Sequence, residues 1–534
     1  MQTNMRNQNY FKACEHIASE LQLRSNLSLN DIYKIIRSNS SKFDLSTVPK
    51  NEDILYYLPK SHPYKEILLV KPSKTASGIA VIPIMPLPYE CPHGKCIYCP
   101  GGVEYNTPMS YIGTEPVTRI AQFVNFDPYL QVKSKLEQLH RRGHNTSKIE
   151  LVVVGGTFPF MPESYQINFA KSCFDALNGS RSVTLQDAIS TNETANNRCV
   201  GFAVETKPDY CKKKQIDLLL EIGVTKVEIG VQALDDHIYR SVNRGHTLLD
   251  VKESFKISRD AGYKIVAHMM PGLPGSSISK DLESFRILFE NSDFRPDMLK
   301  IYPTLVIKNT GLYELYKKGK YSSYSVDDFV NILFEVKKNI PTWVRIMRIQ
   351  REIETTDIVE GNKQGNIRQL ILKKLKDNNI SCKCIRCREP RLKQNILSSI
   401  DEVTLKRIDY LASGEKEIFL SLETDDNKII FGFIRLRIIT NSQFIRKELK
   451  DPSSDEIAVI RELHVYGKLI DVGNINNAYY QHKGLGLKLM KEAERIAKEE
   501  FNIKKISVIS AIGTREYYKK IGYVQNGPYV TKIL

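Results

Sequence analysis

The chain has 534 residues, 42% of them hydrophobic and 26% charged, enough for two to four domains around a large core. No apolar run is long enough to span a bilayer and the N-terminus has no signal-peptide core, so a cytoplasmic protein with no membrane partner is expected. A formal charge of +16 invites a polyanionic partner, although a basic surface alone is weak evidence for one. Six of the ten cysteines stand in two tight bunches, which suits metal binding in a reducing compartment better than a disulfide framework.

Residues 1–75 read as a small basic helical unit. Phe11, Cys14, Ile17, Ala18 and Leu21 recur at helical spacing, and a second helix starts near Ser28 or Asn30 with Ile32, Ile35 and Ile36. Lys12, Lys34 and Arg37 make it a candidate arm for a phosphate backbone; the plain alternative is a soluble cap.

Residues 76–340 alternate strand and helix. Strands are expected at Ile79–Met85, Lys148–Val154, Cys199–Val204, Lys226–Val231, Lys264–Met269 and Met298–Tyr302, with amphipathic helices between them. Such alternation predicts a parallel sheet with crossover helices, and six repeats predict an incomplete (βα)6 barrel. In barrels the reactive groups sit at the C-terminal ends of strands. That edge receives Cys91-Pro-His-Gly-Lys-Cys96-Ile-Tyr-Cys99, Gly155-Gly156, Glu205, Gln232 and the turn Pro271-Gly-Leu-Pro-Gly275. Three cysteines spaced C-x4-C-x2-C leave one coordination position without a protein ligand. That suits an iron–sulfur cluster with an open iron, whereas structural zinc usually closes with four ligands. A zinc knuckle using His93 as fourth ligand is the alternative.

Residues 341–395 change character. The run Trp343-Val-Arg345-Ile-Met-Arg348-Ile-Gln-Arg351 reads as a strand or short helix showing arginines to a partner. Cys382, Cys384 and Cys387 form a second cluster with the look of a zinc clip whose fourth ligand lies elsewhere. Residues 396–534 open strand-rich, with a turn at Asp425-Asp426-Asn427 and a central strand through Glu462, Leu463, His464 and Val465. Gln481-His-Lys-Gly484-Leu485-Gly486 then opens a long amphipathic helix. Glycines at a helix start let backbone N–H groups reach a pyrophosphate, but the spacing is not that of a dinucleotide fold.

The cysteine loop and barrel resemble the radical S-adenosylmethionine (SAM) superfamily, and the last unit resembles GNAT-type acetyltransferases with their coenzyme A loop. The pairing, with CPHGKCIYCPGG, KIELVVVGGTF, LKIYPTLVI, RELHVYG, QHKGLGLKLMKEAERIAKEE and GTREYYKKIGY, resembles the family of Elongator catalytic subunits over nearly the whole chain. The compact first gap between the cysteines looks like its archaeal and bacterial form. The resemblance implies an α/β fold: a partial (βα)6 radical SAM barrel followed by a GNAT-type domain. It implies a 4Fe-4S cluster on Cys91, Cys96 and Cys99, and SAM beside Gly155, Gly156 and Glu205. It places acetyl-CoA against Lys148, Glu462 to Val465, Gly484 to Gly486 and Tyr517, with Lys300 and Tyr302 beside the reacting groups. Tyr517 as plain core is the alternative. The implied activity is 5-carboxymethylation of the wobble uridine of tRNA, the anticodon arm gripped by the N-terminal unit and the 345–351 arginines. Zinc at the second cysteine cluster, accessory Elongator-type subunits and a homodimer complete the expectation. The rival function is a protein lysine acetyltransferase with a structural iron–sulfur cluster and Glu462 as base.

Overall fold

Strands joined by helices cannot turn back as hairpins and must lie parallel. In the computed structural model, which describes residues 2–59, 62–71, 74–75, 77–390, 403–442, 444–451, 454–466 and 484–534, they do. Strands β1 (Ala80–Ile84), β2 (Lys148–Val153), β3 (Arg198–Thr206), β4 (Lys226–Gln232), β5 (Lys264–Met269) and β6 (Met298–Ile301) pair in chain order, every pair parallel. A short β7 (Val306–Ile307) leaves the sheet, and β8 (Arg345–Arg348) then joins β6, also parallel. The sheet is therefore one strand wider than six repeats predict. Its seventh strand comes from the stretch expected to be a basic linker. The two edge strands, β1 and β8, do not pair, so the barrel stays open. β7 instead pairs antiparallel with β9 (Ile358–Glu360).

The crossover helices start where their caps dictate. Thr247 with Asp250 opens Leu248–Asp260, and Ser325 with Asp328 opens Val326–Asn339, each as a reciprocal capping box. The N-terminal unit follows the same logic: Ser28 and Asp31 cap Leu29–Lys42. Cys14, Ile17, Ala18 and Leu21 pack against Ile32, Ile36 and Ile54, whereas Phe11 is half exposed despite its helical spacing. Lys12, Lys34 and Arg37 all face solvent.

The C-terminal sheet contains β10 (Thr404–Ala412), β11 (Glu415–Glu423), β12 (Ile430–Ile439), β13 (Ile457–Val465), β14 (Lys505–Ile509), β15 (Val524–Asn526) and β16 (Tyr529–Ile533), in the order β10-β11-β12-β13-β14-β16-β15. Asp425, Asp426 and Asn427 lie in the turn between β11 and β12, as expected. Helix Leu485–Arg495 buries Leu489, Met490 and Ala493 against the sheet.

The two halves meet through buried charge. Arg461 of β13 donates to both oxygens of Asp297, just before β6, at 2.7 and 2.8 Å, and to Glu417 at 2.8 Å. Arg437 of β12 reaches Asp260 at 2.5 Å and Glu417 at 2.9 Å. Asp297 also accepts the Ile265 N–H at 2.8 Å. A buried guanidinium is tolerated only when nearly every donor finds an acceptor, and paired forks of this kind satisfy that demand.

Candidate functional site

Cys91 is half-buried, Cys96 and Cys99 are buried, and all three line a cavity of about 90 Å³ at the C-terminal ends of the strands. Gly156, Glu205 and Gln232, from the ends of β2, β3 and β4, line the same cavity. Gly155 sits at φ +112°, and a Cβ there would stand 2.7 Å from Cβ of Pro108, so the turn admits only glycine. Its N–H donates to Glu205 Oε2 at 3.0 Å, which fixes that carboxylate at the rim. The Pro271–Gly275 turn lies at the C-terminal end of β5, as expected, but lines neither this cavity nor the larger one below. Tyr321 donates to the Gly272 carbonyl at 2.7 Å and Asp281 accepts the Gly272 N–H at 2.8 Å, so side chains of the fold hold Gly272, while Gly275 is exposed.

The two cysteine groups differ in sulfur spacing. Sulfurs bound to one zinc ion at ~2.3 Å lie roughly 3.8 Å apart. Among the described residues, Cys382, Cys384 and Cys387 form a group with all sulfurs within 4.8 Å of one another; Cys91, Cys96 and Cys99 do not. The wider triplet, opening on a cavity, fits a multi-iron cluster. His93 Nδ1 lies 2.9 Å from Lys207 Nζ and its Nε2 lies 3.2 Å from Cys96 Sγ.

Inside the barrel the strands present charge. Alternate residues of β4, β5 and β6 bring Glu228, His268 and Lys300 together. His268 Nε2 lies 3.0 Å from Glu228 Oε2; Lys300 donates to the same oxygen and lies 3.8 Å from Glu205. Burial pulls the Lys300 ammonium down, but Glu228, with Tyr302 and Glu205, outweighs it and raises its pKa. Burial pushes Glu228 up, yet Lys300 and His268 hold it well below the usual carboxylate range. Lys300 is thus a fixed cation. Tyr302, one residue past β6, stands edge-on to His268 at 5.7 Å, and burial raises its phenol.

These groups wall a cavity of about 620 Å³ that adjoins the smaller one, sharing Tyr98, Ser110, Glu205, Glu228, Gln232 and His268 with it. It passes Lys300 and Tyr302 and ends at Arg345, Arg386 and His464, the last on β13 of the other sheet. The 345–351 arginines, expected to face a partner, line this lumen, with Arg348 half exposed. Arg345 pairs with Glu389 at 2.5 Å, and Arg351 donates to the Ser110 carbonyl. Glu228 and His268 escaped the sequence reading; their signal was polar residues at every second position of otherwise apolar strands.

On β13 a bulge opposite Arg435 and Leu436 precedes Glu462, and pairing with β14 ends at Ile460–Val508. Beyond it the strands part, so Glu462 and Leu463 lie past the parallel ladder. Gly484, at φ +72°, caps the helix that begins at Leu485. Space at Gly486 is bounded by Tyr517 Oη at 3.0 Å and Val465 Cγ2 at 3.7 Å from where a Cβ would stand, so helix start, strand end and tyrosine converge. Tyr517 is 40% exposed, which a pure core residue would not be. Gln481, His482 and Lys483 lie outside the described residues. Lys148 starts β2 beside Arg198, whose Cβ packs on Gly513 of the C-terminal unit; burial lowers its ammonium. Glu462 accepts from Arg435 Nε at 2.8 Å, so the candidate base of a lysine acetyltransferase already holds a buried guanidinium. At the second cysteine group Lys337 donates to Cys382 at 3.2 Å and Cys387 at 3.4 Å.

Four family descriptions match the chain: the ELP3 N-terminal domain over 10–76, the radical SAM superfamily over 85–287, the radical SAM C-terminal domain over 296–377, and the GNAT acetyltransferase family over 391–523. A tRNA uridine(34) acetyltransferase of Methanocaldococcus jannaschii is 46% identical over 497 residues, covering 91% of this chain and 90% of that protein. The chain belongs to the Elongator complex protein 3 (Elp3) family. Human Elongator complex protein 3, another relative, is 43% identical over 519 residues, covering 94% of this chain and 93% of that one. The structure of the Elp3 of Methanocaldococcus infernus, lacking its residues 1–46, superposes with a TM-score of 0.75 at 42% identity, covering 86% of this chain and all of that one. Membership confirms the α/β architecture of a radical SAM barrel and a GNAT-type domain. Among the described residues no helix is long and apolar enough to cross a membrane.

Proposed function

We propose that the protein is an acyltransferase that builds a 5-carboxymethyl group on the wobble uridine of tRNA from acetyl-CoA, with SAM and a 4Fe-4S cluster. The observation that carries this reading is the lumen, which runs from the cysteine loop past Lys300 and Tyr302 to His464 on the acyl-binding strand. A structural cluster in an ordinary acetyltransferase needs no such passage. Cys91, Cys96 and Cys99 would hold the cluster, with Gly156 and Glu205 beside SAM. Together they would supply radical chemistry strong enough to take hydrogen from an unactivated methyl group.

The remaining work belongs to the chain. The strand edge at Glu462 to Val465, the Gly484–Gly486 helix start and Tyr517 orient the thioester, while free N–H groups at that helix start attract the pyrophosphate. Lys300, held charged by Glu228, offers a fixed hydrogen-bond donor to a carbonyl oxygen in the lumen, preorganised as electrostatic catalysis requires. Walls such as Val152 and Val154 exclude water from the reacting carbon. The exposed Lys12, Lys34 and Arg37 bind the anticodon arm through phosphate. Cys382, Cys384 and Cys387 hold zinc as a clip, with Lys337 compensating thiolate charge.

Anaerobic reaction of reconstituted protein with unmodified tRNA, acetyl-CoA, SAM and a reductant, followed by nucleoside mass spectrometry, tests the proposal. Carboxymethyluridine that vanishes when either SAM or acetyl-CoA is left out is the expected result. Protein acetylation that persists in Cys96→Ala, with no modified uridine, would overturn it.

A further inference from the structure

Of the three cluster cysteines, one is treated differently from the others. Cys91 has a hydroxyl neighbour, Thr157, at 3.7 Å, and Cys99 has Ser110 at 3.4 Å. Cys96 has two nitrogen donors, Arg244 Nη1 at 3.7 Å and His93 Nε2 at 3.2 Å. The imidazole's direction follows from its other side. Lys207 Nζ lies 2.9 Å from His93 Nδ1, and an ammonium can only donate. Nδ1 must therefore accept, which leaves the proton on Nε2, aimed at the sulfur. Asp209 at 3.1 Å anchors Lys207 in turn.

Arg244 is equally committed. Its Nη2 donates to the Gly230 carbonyl at 2.7 Å, and a Cβ on Gly230 would stand 2.3 Å from that nitrogen. Only glycine at this place in β4 lets the guanidinium reach the loop. Its Nε has no partner among the described residues. The potential of an iron–sulfur cluster follows its net charge and the hydrogen bonds to its sulfurs. Positive charge and N–H donors both stabilise the added electron, so both raise it.

We propose that Arg244, with His93 oriented by Lys207, sets the reduction potential of the cluster by placing positive charge beside it and nitrogen hydrogen-bond donors on the Cys96 sulfur. This rests on the reading of Cys91, Cys96 and Cys99 as cluster ligands. The residues act through a ligand and are positioning residues, touching no substrate. The device eases reduction by the cell's donors at the expense of driving force for the step that follows.

The test is an EPR-monitored potentiometric titration of anaerobically reconstituted full-length protein, with iron counted in every sample. Arg244→Gln is expected to lower the reduced-to-oxidised ratio at a fixed potential about tenfold, which is ~59 mV more negative for a one-electron couple. His93→Ala shifts the same way by less, and Arg244→Lys stays close to the parent protein. A full iron complement with an unmoved midpoint in both Arg244→Gln and His93→Ala would overturn the proposal. If Arg244→Gln binds no iron, His93→Ala, on a partly exposed loop, decides alone. Failure of the unsubstituted protein to take up iron would instead remove the cluster reading, and the proposal with it.

Discussion

Two buried charge clusters, one inside the barrel and one at the seam between the sheets, do different things. At the C-terminal half of the barrel, Glu228, His268 and Lys300 surround a cavity. At the N-terminal ends, Asp260, Asp297, Glu417, Arg437 and Arg461 lie at the seam between the sheets and line neither of the two cavities. Both pair buried carboxylates with cations at hydrogen-bond distance. The surroundings separate them: a charge facing open volume can act on something that enters it, whereas a charge whose acceptors are all protein can only hold the fold in register.

The sharpest way to break this contrast is to exchange the consequences. Asp297→Ala strips two acceptors from Arg461 in a dry seam, leaving it Glu417 and the Tyr263 carbonyl, and should cost ~3–5 kcal/mol, read by chemical or thermal unfolding. A loss below 1 kcal/mol would show that the seam is wet. Lys300→Met should leave the melting temperature within a few degrees but lower carboxymethyluridine formation by roughly 10²-fold, the scale of one preorganised donor. A large stability loss with intact turnover would reverse the roles assigned to the two clusters.

Acid separates them less strongly. Burial pushes Asp297 up, but Arg461 and Arg435 outweigh it, so its folded value lies below the unfolded one of ~3.9. A depressed carboxylate contributes stability that is present above the unfolded value and lost as pH falls through the folded one. Stability should therefore be flat above about pH 5 and fall below about pH 4. Asp297→Asn should flatten that fall, as measured by urea unfolding across pH. The smallest effect belongs to the acyl site. Gly486→Ala should raise the KM for acetyl-CoA about threefold, because its methyl meets Tyr517 Oη at 3.0 Å. Tyr517→Phe in the same chain should recover part of that change by removing the oxygen.

Much of this was legible in the sequence because it is local. The cysteine loop, the six strand ends and the glycine helix start each carry their chemistry within a dozen residues, and backbone periodicity places them. What stayed hidden was pairing at a distance. Nothing near Arg345 says that its strand completes a sheet begun at Ala80, because a strand of four residues with arginines at both ends resembles an exposed linker. The partner of His93 Nδ1, Lys207, lies 114 residues away. Arg461 and Asp297 are likewise 164 positions apart. Spacing identifies a ligand set, but its neighbours decide the metal.

Asp297 deserves a mechanical reading. Its carboxylate holds Arg461 of the acyltransferase sheet and the backbone N–H of Ile265, and its carbonyl accepts the N–H of Arg345. One residue thus rivets β5, β8 and the second domain to the base of β6. Hinging the halves apart would break several charge-assisted hydrogen bonds at once, each ~1.5–3 kcal/mol. Among the described residues, the seam thus fixes where the β13 end sits relative to the barrel strands.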